Sequence, residues 1–91
     1  MIVHVKIRLF IKPSCGWCHL ATRWLDERGI QYELIDVFAK RGAFQEMVNL
    51  SGQTRSPVIE VDGEILADFG PEELPGFFKR LQPRMDTNRH E

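Results

Sequence analysis

Leu9-Phe10-Ile11-Lys12-Pro13-Ser14-Cys15-Gly16-Trp17-Cys18 passes from an apolar run, through a proline break, into two cysteines separated by two residues. These are the two cysteines of the chain. Upstream, Val3, Val5, Ile7 and Leu9 alternate with His4, Lys6 and Arg8, the period of a strand that Phe10 and Ile11 extend. Downstream, Trp17, Leu20, Ala21, Trp24 and Leu25 recur at helical spacing, with Thr22, Arg23, Asp26 and Glu27 on the opposite side. Arg28-Gly29 closes this helix, which the spacing predicts over Gly16 to Arg28. A cysteine pair at a strand-to-helix turn has the geometry of thiol–disulfide exchange. The first sulfur meets backbone N–H groups and the positive end of the helix dipole, both of which favour a thiolate. The second lies one helical turn further in, placed to attack a mixed disulfide made by the first. Cys15 is therefore the candidate attacking thiol, Cys18 the candidate resolving thiol, and Lys12, three residues upstream, the candidate stabilising cation.

The remaining pattern builds outward from this unit. Tyr32, Leu34, Ile35 and Val37 predict a second, well-buried strand over Gln31 to Val37, parallel to the first across a right-handed crossover. Phe44, Met47, Val48 and Leu50 predict a helix over Lys40 to Leu50, weakened by Gly42 and closed by Ser51-Gly52. Ser56-Pro57 opens a strand over Val58 to Val61, Asp62-Gly63 is a favoured two-residue hairpin turn, and Glu64 to Ala67 returns antiparallel. Gly70-Pro71-Glu72-Glu73 starts the last helix, whose apolar face is Leu74, Phe77, Phe78 and Leu81; Pro83 stops it. The expected class is α/β, a four-stranded mixed sheet flanked by three helices in the order β-α-β-α-β-β-α. One domain over residues 1–82 is followed by a polar tail over 83–91.

Composition narrows the function. Ninety-one residues make one domain, and a hydrophobic fraction of 43% suits a packed globule. Twelve basic and thirteen acidic side chains give a formal charge of -1, which argues against a nucleic-acid partner held by phosphate neutralisation. Lys6 and Arg8 interrupt any signal-like apolar run near the start, and no stretch is long enough for a membrane span, so a cytoplasmic protein is expected. In a reducing compartment two cysteines point to catalysis or metal rather than to a structural staple. His19 completes a C-x-x-C-H pattern, the attachment signature of c-type haem. Haem attachment follows export and needs a distal ligand, so His19 reads instead as a polar residue on the exposed side of the helix. A zinc site from Cys15, Cys18, His19 and His4 or His90 lacks a second spaced pair, and no metal ligand set is expected.

The chain resembles the glutaredoxins. The lysine-to-C-x-x-C run Lys12-Pro13-Ser14-Cys15-Gly16-Trp17-Cys18 is similar to that family's signature, and Ser51-Gly52-Gln53-Thr54-Arg55-Ser56-Pro57 resembles its loop ending in a cis-proline. The likeness implies a thioredoxin-like fold and a glutathione-linked thiol–disulfide oxidoreductase, a monomer acting on disulfide-containing or glutathionylated proteins. It implies that Pro57 is cis, that Ser56 offers its backbone to an extended substrate, and that Lys12 and Gln53 meet the glycine carboxylate of glutathione. Trp17 is expected beside the thiols, packed either on substrate or on the core. The family's Gly-Gly-x-Asp near the last helix is replaced here by Ala67-Asp68-Phe69-Gly70. Backbone N–H groups of Phe69 and Gly70 remain available in principle for a carboxylate, and Asp68 for an ammonium or as a helix cap. Phe69-Gly70-Pro71-Glu72 also looks like redoxins that take electrons from thioredoxin reductase. Gly16 stands where proline is usual, a departure that in some relatives accompanies a bridging [2Fe–2S] cluster held by one such cysteine per subunit and two glutathiones.

Overall fold

The computed structural model describes residues 6–81. The expected strand positions Val3 and Val5, the residues His4 and His90, and the expected tail over 83–91 lie outside the described residues. Strands β1 (Ile7–Ile11), β2 (Glu33–Asp36), β3 (Val58–Val61) and β4 (Glu64–Ala67) alternate with helices α1 (Gly16–Glu27) and α2 (Ala43–Ser51). A short 3-10 turn at Pro71–Glu73 then leads into α3 (Leu74–Arg80). The sheet order is β2-β1-β3-β4, with β1 parallel to β2 and antiparallel to β3, and β3 antiparallel to β4. The fold is the mixed α/β arrangement that the sequence implied.

β1 sits inside the sheet and its alternation divides the core. Ile7, Leu9 and Ile11 join Cys18, Ala21 and Leu25 of α1, Ile59 and Val61 of β3, and Leu74, Phe77 and Phe78 of α3. Phe10 points to the other face, with Ile35, Val37, Val58 and the α2 residues Ala43 and Met47. The sheet is thus a layer between α1 and α3 on one side and α2 on the other. Where α2 ends its cover, Arg8 replaces apolar packing by charge: its guanidinium meets Glu46 of α2 and Glu60 of β3, each at 2.7 Å.

Three expectations are corrected. The second strand is not well buried: β2 is an edge strand, shorter than expected, and Leu34 is 53% exposed. Its apolar residues do not all face a neighbour because β1 is flanked on its other side by β3. The buried face of α1 is Cys18, Ala21 and Leu25, whereas Trp17 and Leu20 point outward. The second helix starts at Ala43 rather than Lys40, because Asp36 accepts from the backbone N–H groups of Phe38 and Ala39 and holds a turn there. Gly42 then precedes the helix with φ of 79°, a left-handed conformation that glycine adopts without a steric cost.

Candidate active site

The turn between β1 and α1 places the two sulfurs. Pro13 and Ser14 interrupt the strand, and the Cys15 N–H closes the turn by donating to the Lys12 carbonyl at 3.1 Å. Cys15 has extended backbone angles and caps α1: its sulfur accepts from the Cys18 N–H at 3.1 Å. A sulfur takes the role usually filled by a serine or aspartate oxygen at a helix start, so thiolate charge falls where the helix presents unpaired donors. Cys18, one turn on, is 1% exposed, while Cys15 remains partly open to solvent; both are free thiols.

The second wall of the site is the loop before β3. The Ser56–Pro57 bond is cis, as the resemblance implied. It brings the Ser56 carbonyl to 3.8 Å from the Cys15 sulfur. Lys12 ties the two segments together, its ammonium donating to the Thr54 carbonyl at 2.8 Å and lying 5.8 Å from the Phe44 ring centroid. Gln53 is used within the loop: its amide donates to the Arg55 carbonyl at 2.9 Å and accepts from the Arg55 N–H at 2.7 Å. Lys12 and Gln53 thus both bond to the backbone of the loop before β3.

Electrostatics separate the two thiols. Burial pushes the Cys15 thiol up, but hydrogen bonds from the Cys18 thiol, the Ser56 side chain and the N–H groups of Cys18 and Trp17 outweigh it and bring it below its ordinary value. Burial and the hydrogen bond to Cys15 push Cys18 up to about 11. Of the two thiols, Cys15 is the more readily ionised and Cys18 the less. The groups that bring the Cys15 thiol down are these hydrogen-bond donors, while the Lys12 ammonium, the expected cation, donates to the Thr54 carbonyl. Trp17 is 52% exposed beside the sulfurs, which settles the two readings of it in favour of the surface.

The third wall differs from expectation. The Phe69 ring is completely buried among the core residues, so the part of Phe69 that the expectation concerned is its backbone N–H. The Gly70 N–H, expected to be free for a carboxylate, already donates to the Glu73 carboxylate at 3.1 Å. Asp68 is not a helix cap, a position held by Gly70; it pairs with Arg55 at 3.4 Å, and its own N–H donates to the Pro57 carbonyl at 2.8 Å. The sequence carried a signal for the Glu73 contact, since an acid three residues beyond a helix cap is placed to reach back to the cap N–H. No signal marked Arg55, which stands opposite Asp68 only once β3 and β4 pair. Among the described residues no three His, Cys, Asp or Glu side chains gather as a metal site.

Comparison with known proteins agrees with this geometry. The Glutaredoxin family model matches residues 7–66. An uncharacterized glutaredoxin-like 8.6 kDa protein of the rubredoxin operon of Clostridium pasteurianum is 31% identical over 68 residues, which is 75% of this chain and 91% of that one. Among solved structures, a glutaredoxin from Archaeoglobus fulgidus superposes with a TM-score of 0.72 at 16% identity, over 82% of this chain and 87% of its own. The glutaredoxin-like NrdH-redoxin from Escherichia coli superposes with a TM-score of 0.66 at 24% identity, over 78% and 92% respectively. The architecture is therefore the thioredoxin-like fold. The family match runs from β1 into β4 and encloses both the thiol pair and the cis-proline, and the chain belongs to the glutaredoxin family.

Proposed function

We propose that this chain is a thiol–disulfide oxidoreductase that reduces protein and glutathione mixed disulfides through Cys15 and Cys18, with glutathione as its reductant. The observation that carries this reading is the Cys15 sulfur at the cap of α1, bonded by the Cys18 N–H at 3.1 Å, with the two thiols displaced in opposite directions. The Cys15 thiolate attacks one sulfur of a target disulfide. A Cys15–target S–S bond forms as the target's own S–S bond breaks, and the second target sulfur leaves with the electron pair. Cys18 passes its proton to that departing thiolate and attacks the Cys15 sulfur, releasing the first target sulfur and leaving a Cys15–Cys18 disulfide. Two electrons have then moved from the pair to the target. Two glutathiones return them and become glutathione disulfide. In this reading Trp17 packs on the target, Ser56 pairs with its backbone, and Lys12 and Gln53 stand at the glycine end of glutathione. Asp68 and the Phe69 N–H face the γ-glutamyl end, and the protein works as a monomer in the reducing cytoplasm.

A second reading keeps the dithiol chemistry and changes the reductant. Glu73 on the Gly70 N–H and Arg55 on Asp68 leave the γ-glutamyl end of glutathione facing groups that are already paired. A protein donor of the thioredoxin-reductase kind needs no such grip. The Escherichia coli NrdH-redoxin is itself described as having a thioredoxin-like activity profile. NADPH consumption with a glutathionylated substrate, glutathione and glutathione reductase tests the first reading. Turnover by wild type and Cys18→Ser, lost in Cys15→Ser, supports it. No turnover there, with turnover when thioredoxin reductase replaces the glutathione system, supports the second. Silence in both overturns the oxidoreductase reading.

A further inference from the structure

His19 is the part of the C-x-x-C-H run that the dithiol chemistry leaves without a role. Its ring Nε2 lies 3.1 Å from the Pro13 carbonyl oxygen. A carbonyl only accepts, so Nε2 carries the hydrogen, and Nδ1 is left to face outward. The neutral ring in that tautomer and the protonated ring both donate this bond. Helical side chains lean toward the helix N-terminus, which is how residue 19 reaches back past the cap to residue 13. The same residue is held at its backbone. Its N–H donates to the Cys15 carbonyl at 3.3 Å, starting the helical ladder, and its carbonyl accepts from the Thr22 hydroxyl at 2.8 Å. His19 thus grips the active-site turn at two points, Cys15 through the backbone and Pro13 through the ring.

We propose that His19 is a positioning residue of the dithiol site, its ring fixing the Pro13 carbonyl and through it the turn that sets the Cys15 sulfur against the donors of α1. The inference rests on the reading of Cys15 as the attacking thiol. The turn from Lys12 to Cys15 is also closed by the bond from the Cys15 N–H to the Lys12 carbonyl and by the Lys12 backbone on the Cys18 thiol, neither of which holds Pro13 or Ser14. Without the ring, Pro13 and Ser14 are free to swing, and the sulfur loses alignment with the Trp17 and Cys18 N–H groups. The ring is exposed and outside both core clusters, so its removal leaves the packing intact.

The test is the rate of iodoacetamide alkylation of Cys15 against pH in wild type, His19→Ala, His19→Asn and His19→Gln, with thermal melting as the folding control. Glutamine places its amide nitrogen as many bonds from Cα as imidazole Nε2, whereas asparagine places it at the Nδ1 position. Alanine and asparagine are expected to move the Cys15 profile to higher pH and slow alkylation at pH 7 by about threefold to tenfold, the weight of one hydrogen bond. Glutamine is expected to follow wild type, and all four to melt alike. An unchanged profile in His19→Ala overturns the proposal, as does a glutamine variant as slow as alanine. So does a lowered melting temperature with no movement of the profile. Alkylation needs no disulfide substrate, so absent turnover in the coupled assay, with the histidine profile still shifted, would count against the enzymatic reading alone.

Discussion

The β1–α1 turn and the start of the last helix use their polar groups in opposite ways. At the β1–α1 turn, the Trp17 and Cys18 N–H groups and the Cys18 and Ser56 side chains converge on one sulfur. At the start of the last helix, the Gly70 N–H goes to Glu73 and the Asp68 carboxylate to Arg55. The first end favours negative charge on the Cys15 sulfur. The second is complete without a ligand. Under the proposed function the difference separates chemistry from reductant recognition: the turn would serve attack on a disulfide, and the self-capped end would govern the choice of donor.

The comparison breaks most sharply at Cys15. Cys15→Ser removes the attacking sulfur and is expected to bring turnover to background in either coupled assay. Cys18→Ser comes next. It is expected to retain part of the activity on glutathionylated substrates, where free glutathione resolves the mixed disulfide, and to lose that on protein disulfides trapped by one thiol. Its hydroxyl still donates to Cys15, whereas Cys18→Ala removes that bond and is expected to shift Cys15 alkylation to higher pH. Stability follows Cys18 as well. Its folded value of about 11 lies above the ordinary thiol value of about 8.5 in the unfolded chain. The folded state therefore keeps its proton longer, and this contribution, full below about 8.5, is lost as pH rises toward 11. Denaturant titrations of the reduced protein across that window should show the loss in wild type and a smaller one in Cys18→Ala. The other end of the groove is tested by Glu73→Gln, which weakens the hold on the Gly70 N–H. It is expected to lower the KM for glutathione severalfold and to cost about 1 kcal/mol of stability or less, the size of one capping bond, in thermal or urea unfolding. An unchanged KM would mean that self-capping does not govern access.

Local features were legible in the sequence and the partners set by tertiary order were not. The strand–turn–helix unit follows from residues close in the chain, and so do the hairpin at Asp62-Gly63 and the start of the last helix. Leu34 looked buried because an apolar run says nothing of whether its strand has one neighbour or two. On α1, two stripes compete: Trp17 and Leu20 against Cys18, Ala21 and Leu25. The packing of β1 and α3 chooses the second, with Trp24 stacked on Phe78 at 5.7 Å. At the site, Cys15, Cys18 and the cis-proline were readable from motif and resemblance. The Gly70 N–H looked open to a carboxylate, and it is taken by Glu73 of its own turn. Arg55 was invisible, because its partner Asp68 lies just past the far strand of the hairpin.

The most direct test of the account is alkylation of the reduced wild-type protein against pH, with Cys15 and Cys18 followed separately by peptide mass spectrometry. The account predicts that Cys15 reacts with a midpoint below the ordinary thiol value of about 8.5, while Cys18 stays unreacted until the pH approaches 11. Two cysteines titrating together near the ordinary value, or Cys18 reacting first, would contradict the claim that the β1–α1 turn makes one thiolate and one thiol from this pair.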